Sequence, residues 1–245
     1  MNNYQAPKDL LHERVILVTG AGQGIGRTAA LSFATHGATV ILHGRKVKKL
    51  EAVYDEIEAA GLPQAVIYPL DLSSAEDKDY AALAAGIRGQ LGRLDGILHN
   101  ASHLDKLRPL EEHTLEQWHT TLRVNLMAPF ALTRACLPLL KAAPDASIIM
   151  TSETHGHEPA AYWGSFAVAN AGLEALVKLW AQELEIHPDL RINGIIPGRV
   201  QSPQRSKTHP GELKETLPSP EILIPHYLYL MGNASRGVSG QIIVC

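Results

Sequence analysis

A run of apolar, mostly β-branched residues, Val15-Ile16-Leu17-Val18-Thr19, passes without a break into Gly20-Ala21-Gly22-Gln23-Gly24-Ile25-Gly26. Such a run bounded by glycines predicts a parallel strand buried on both faces, and the spacing of Ala29, Ala30, Phe33 and Ala34 predicts a helix after it. Glycines suit a turn whose backbone must approach a pyrophosphate closely, while the helix N-terminus supplies N–H groups and the positive end of its dipole. An ordinary glycine-rich loop would carry the same residues, so the rest of the chain decides between the two.

A length of 245 residues suits one α/β domain with a sizeable core. The formal net charge of −3 leaves no basic excess for nucleic acid, and there is no acidic tail. Residues 1–12 are polar and lack a signal-peptide core, and no later run reaches membrane-spanning length, so a cytoplasmic protein without a membrane partner is expected. Cys136, inside a helical pattern, and Cys245, the last residue, make neither a disulfide framework nor a metal-ligand spacing.

Strands and helices alternate beyond the first pair. Strands are predicted at 38–43, 65–70, 94–99, 146–151, 191–196 and 241–244. Helices are predicted at 47–60, from a Ser73 cap to 91, from Thr114 to about 141, at 161–186 and, as a short one, at 221–231. Residues 197–220 hold five prolines and read as a loop or lid, and residues 1–13 form an N-terminal extension. The alternation predicts a doubly wound parallel sheet flanked by helices, in which ligands collect at the carboxyl ends of the strands near the switch point.

The residues after each strand therefore matter most. Beyond the second strand, where the ribose of NAD would call for an acid, stands Gly44-Arg45. A guanidinium there suits a 2′-phosphate, which points to NADP in preference to NAD. Asp71, after the third strand, either accepts from the adenine amine or caps the next helix beside Ser73.

Over essentially its whole length the chain resembles the short-chain dehydrogenase/reductase family. The resemblance is carried by Thr19-Gly20-Ala21-Gly22-Gln23-Gly24-Ile25-Gly26, by Asp71-Leu72, by His99-Asn100-Ala101-Ser102, by Asn125 within Arg123-Val124-Asn125, and by Pro197-Gly198. It implies a Rossmann-like fold, dimers or tetramers built on the two long helices, and a nicotinamide cofactor. The cofactor residues it implies are Gly20, Gln23, Gly24, Ile25, Gly26, Arg45, Asp71, Leu72, Asn100, Ala101, Ser102, Pro197, Gly198 and Val200. It also implies hydride transfer between nicotinamide and a carbonyl or alcohol carbon, with a tyrosine exchanging the proton, a lysine lowering the tyrosine pKa, a serine orienting the oxygen and an asparagine supporting a relay.

Three of those four positions are substituted. Aligned through Trp163-Gly164 and the segment 171–176, the tyrosine position holds Phe166, the lysine position Asn170 and the serine position Glu153, next to Ser152; Asn125 is retained. Phenylalanine has no proton to exchange, asparagine has no charge, and a carboxylate repels a developing oxyanion. Tyr162 lies one turn before Phe166 on a shared helical face, but its fourth successor is Phe166, and Lys178 is too far along.

A second grouping is formed by Glu153, His155 and His157 after the fifth strand with His99 and His103 after the fourth, which would share a cleft if those strands are neighbours. No metal is expected, because the spacing of His155 and His157 fits no zinc pattern. Three functions stand open: an NADP-binding oxidoreductase homologue with impaired or altered hydride transfer, an inactive dinucleotide-binding or scaffold protein, and a lyase or isomerase using Glu153 and a histidine. The substrate is not legible in residues 197–220. A homo-oligomer is expected because Leu132, Leu137, Leu176, Leu179 and Trp180 exceed what one side of a sheet needs.

Overall fold

The predicted strands form with ends within two residues of expectation in the computed structural model, which describes residues 4–245. They are β1 (Val15–Thr19), β2 (Thr39–Gly44), β3 (Val66–Pro69), β4 (Gly96–His99), β5 (Ala146–Thr151), β6 (Leu190–Ile196) and β7 (Ile242–Val244). All pair in parallel in the order β3-β2-β1-β4-β5-β6-β7, so the sheet reverses between β1 and β4. That reversal is the switch point of a Rossmann-like doubly wound sheet.

Alternate strand residues feed two cores. Ile16, Val18, Val40 and Leu42 face the layer of α1 (Gly24–Thr35), α2 (Val47–Ala59) and, late in the chain, α9 (Ile224–Met231). Leu17, Ile97, Ile148 and Ile192 face α3 (Asp77–Leu91), α5 (Ala128–Ala142) and α7 (Gly164–Glu183). Burial on both faces is why these strands read as unbroken apolar runs. Cys136 sits in the second core, where burial pushes its thiol up to about 12.

Several boundaries differ from expectation for local reasons. Helix α3 starts at Asp77, not after Ser73: Glu76 and Asp79 form the reciprocal cap, whereas Ser73 donates its N–H and hydroxyl to Asp71 Oδ1 at 2.9 and 2.7 Å. The helix opened by Thr114 is continuous but not uniform, running as α4 (Leu115–Leu122), a π turn (Arg123–Met127) and then α5. A short helix, α6 (Thr154–His157), stands before α7, which begins at Gly164 rather than at 161. The proline-rich segment contains α8 (Pro203–Thr208) and a 3-10 turn at Lys214–Thr216. Of the expected N-terminal extension, residues 1–3 lie outside the described residues; Leu11 is buried and Tyr4 packs edge-on against Tyr229.

The amino ends of the strands are joined by buried charge. Arg14 donates to Asp145 Oδ2 at 3.0 Å and to the Asp95 carbonyl at 3.2 Å. Asp95 accepts from Val15 N at 2.9 Å, and Arg191 on β6 also donates to the Asp145 carboxylate. One carboxylate thus ties the starts of β1, β5 and β6, leaving the opposite edge free to open into a cleft. Asp145→Ala would strand two buried guanidinium groups, a loss on the order of 3–5 kcal/mol. Urea unfolding is expected to show that drop as a lower midpoint at unchanged slope, with Asp145→Asn losing less.

Candidate functional site

The carboxyl ends of β1, β2, β4, β5 and β6 border one cleft of about 570 Å³. Its floor is the glycine loop. Gly20 and Gly24 take φ of 70° and 56°, the left-handed region that glycine adopts without strain. A Cβ at Gly20 would come within 3.0 Å of Ala101 Cα, and one at Gly26 would overlap the Gly20 carbonyl oxygen. Gly26 is therefore a packing residue that does not line the cleft, unlike Gly20, Gln23, Gly24 and Ile25. At the start of α1, Gln23 makes no side-chain cap and the first turn holds no acid, so its N–H groups suit an anion.

Beside the loop, Arg45 lines the cleft with Lys46 and Lys49, and Lys49 donates to Gln23. Sequence reading missed the two lysines, although their place one and four residues after Arg45 puts them at the head of α2. Asp71 lines the cleft as well. Burial works to raise its pKa, but the Ser73 bonds and then Arg45 outweigh it and hold the carboxyl below its usual range. Leu72, Asn100, Ala101, Ser102, Pro197, Gly198 and Val200 complete the expected set, all lining the cleft. Thr19 Oγ1 accepts from the backbone of Asn100 and Ala101 at 2.9 and 3.0 Å, which fixes β4 against β1 at this point.

The residues present fit a dinucleotide. The glycine cradle and the uncapped helix start suit its pyrophosphate, and three cations stand at the β2 side. Helix α8 covers the loop, with Pro203 3.2 Å from where a Gly24 Cβ would be. Both ring nitrogens of His43, which lines the cleft, lack a partner among the described residues, and burial brings that imidazole down to about 4.

At the far end the cleft is lined by Ser152, Glu153, Trp163, Phe166 and Asn170. Glu153 Oε2 accepts from His155 N at 2.7 Å and from His155 Nδ1 at 3.0 Å, and the His155 ring stacks on Trp163 at 3.8 Å. Ser152 donates to Glu174 Oε1 at 2.8 Å, and His157 Nδ1 is 2.8 Å from Glu174 Oε2. Asn170 turns its amide back to the Phe166 carbonyl, 2.8 Å away. Asn125 does not line the cleft: it clamps the His103 backbone, accepting from N at 2.8 Å and donating to O at 2.9 Å.

Two expectations need correction. Tyr162 does not share a helical face with Phe166; it precedes α7 with φ of 76° and is 58% exposed. The histidines do not converge either, although β4 and β5 are neighbours. His99 points into the core at Thr133, 2.9 Å away, where burial lowers it to about 3, and His157 goes to Glu174. Only His155 joins Glu153. His103 lines the cleft nearer the adenosine side, its pKa lowered by burial and then by Arg45. Among the described residues no group of three or more His, Cys, Asp or Glu side chains could hold a metal ion, and no helix is long and apolar enough to cross a membrane.

Comparison with known proteins agrees with this geometry. The family model for short chain dehydrogenases matches residues 14–213. The uncharacterized oxidoreductase YciK of Escherichia coli (strain K12) is 39% identical over 239 residues, covering 98% of this chain and 94% of that protein. A solved chain from Pseudomonas syringae superposes with a TM-score of 0.96 at 44% identity, over 99% of this chain and 98% of that one. Another, from Escherichia coli CFT073 and complexed with NADPH, gives 0.93 at 39% identity, over 97% and 98%. This chain belongs to the short-chain dehydrogenase family.

Proposed function

We propose that the chain binds NADP(H) in this cleft in preference to NAD(H), and that it is an oxidoreductase homologue of the cytoplasm whose hydride-transfer chemistry is impaired or altered. The observation that carries the second part is that no tyrosine lines the cleft among the described residues. A bound nicotinamide supplies a hydride donor or acceptor; the protein must supply the proton. Phe166 has none to give, and Asn170 spends its amide on its own helix. Tyr227 is no substitute, being fully buried behind Thr151 with its phenol pushed up by desolvation.

Arg45, Lys46 and Lys49 support the cofactor preference, since a 2′-phosphate needs charge-assisted bonds that no acid at Gly44 opposes. Titration with both cofactors is expected to favour NADP(H) at least tenfold. Arg45→Ala should lose roughly 1.5–3 kcal/mol of that binding, the worth of a hydrogen bond to a charged group. Equal affinities, or an unaffected variant, contradict the assignment.

The pair of Glu153 and His155 favours a second reading, in which the carboxylate acts as acid or base in a lyase or isomerase. Loss of a general acid typically costs 10²–10⁴-fold, so NADPH oxidation across aldehydes, ketones and quinones should be negligible. The triple variant Glu153→Ser, Phe166→Tyr, Asn170→Lys should raise it, and Phe166→Tyr alone should do little. Turnover that Glu153→Gln abolishes moves the assignment to the carboxylate. Cofactor binding with no turnover in any assay leaves a dinucleotide-binding protein.

We also propose a homo-oligomer, on corrected grounds. Leu132 and Trp180 cover the chain's own core, but Leu115, Met127 and Phe130 on α4, the π turn and α5, with Val168 and Leu179 on α7, are exposed. Light scattering at micromolar concentration is expected to give at least a dimer mass; a monomer refutes it.

A further inference from the structure

Charge is divided unevenly along the cleft. Its cations are Arg45, Lys46, Lys49, Arg205 and Lys207. The first three stand at the carboxyl end of β2 and the head of α2. Arg205 is bound to Glu212 at 2.6 and 2.8 Å, which offsets its charge, and Lys207 is on α8, the helix that covers the glycine loop. At the other end, Ser152, Glu153, Trp163, Phe166 and Asn170 include no Lys or Arg. Glu153 is a carboxylate there, largely withdrawn from bulk water with its side chain 17% exposed, and Glu174 is a second one buried behind Ser152. The neighbouring imidazoles are His155 on Glu153, His157 on Glu174 and His209 beside Trp163.

A dinucleotide lies across the crevice at the switch point, so with its 2′-phosphate at Arg45 its other half falls to the β4–β5–β6 side. That half is a nicotinamide, which carries one positive charge when oxidised and none when reduced. A carboxylate in a partly desolvated site separates them strongly.

We infer that Glu153, at the end of the cleft that it lines together with Trp163 and Phe166, makes this cleft select NADP+ over NADPH. The inference rests on the cofactor assignment above. Its consequence is a bound couple that is harder to reduce than free cofactor, a redox bias set by one side chain.

The test is parallel titration of NADP+ by calorimetry and NADPH by its fluorescence, in one buffer at one pH. The wild type is expected to hold NADP+ about tenfold or more tightly than NADPH. Glu153→Gln should shrink that ratio about tenfold, equivalent to about 30 mV in the midpoint of the two-electron couple. Glu153→Asp should retain most of it. Should Glu153→Gln fail to fold by circular dichroism, Asn170→Lys, which leaves Glu153 and adds a cation at the same end, should shift the ratio the same way. Equal or tighter NADPH binding by the wild type, or a ratio unchanged in a folded variant, overturns the inference while leaving the cofactor assignment standing. Failure to bind either form overturns both.

Discussion

The cleft exists because backbone comes unusually close to backbone at the switch point. A side chain at Gly26 would overlap the Gly20 carbonyl and the Asn100 amide, and one at Gly20 would press on Ala101. Without Cβ atoms there, the first turn of α1 settles onto the ends of β1 and β4 together. Thr19 then completes the joint by accepting from two consecutive backbone N–H groups of the β4 exit. The loop that could receive a pyrophosphate and the loop that lines the far half of the cleft are thereby held as one piece, so the spacing between the two ends is a property of the fold.

Stability and site chemistry occupy opposite edges of the same sheet. At the amino ends, Asp145 is surrounded by Arg14 and Arg191, and Asp95 takes the Val15 N–H. These charges are paired with one another, with Arg14 Nε alone left without a partner in the cluster among the described residues. At the carboxyl ends the pattern is inverted: α1 has an uncapped start, His43 has two unpartnered nitrogens, and three cations face open space.

Much of this was legible in the sequence because burial on both faces leaves a one-dimensional trace. The runs Val15-Ile16-Leu17-Val18 and Ser147-Ile148-Ile149-Met150 can hardly be anything but inner strands, and the residues following them then had to border the cleft. Features that depend on side-chain direction left no such trace. Spacing could not say that His99 turns inward to Thr133 while His155 turns to Glu153, since both simply follow a strand. Tyr162 looked helical because the apolar pattern continues through it, yet a positive φ just ahead of Gly164 breaks the helix there. Ser73 lost its cap to Glu76 because Asp71 had already claimed it. The surplus of apolar residues on the long helices was real, but which of them were surplus depended on packing: Trp180 is covered and Leu179 is not.

The residues at the inner end of the cleft are packed and bonded through one another's elements. Asn170 bonds its own helix, and α6 packs so tightly over it that a Cβ on Gly156 would overlap the Asn170 Cβ. Helix α6 is itself capped by Glu153, which accepts from both the backbone and the ring of His155, and that ring is stacked on Trp163. Trp163 in turn packs with Phe166. Ser152 and His157 satisfy Glu174, which would otherwise be a buried carboxylate without partners. The polar groups at this end are thus bonded within their own elements, Glu153 to His155 and Asn170 to the Phe166 carbonyl. Such connection means that a single substitution at Glu153, Phe166 or Asn170 disturbs several contacts at once, so its effects need not add to those of its neighbours.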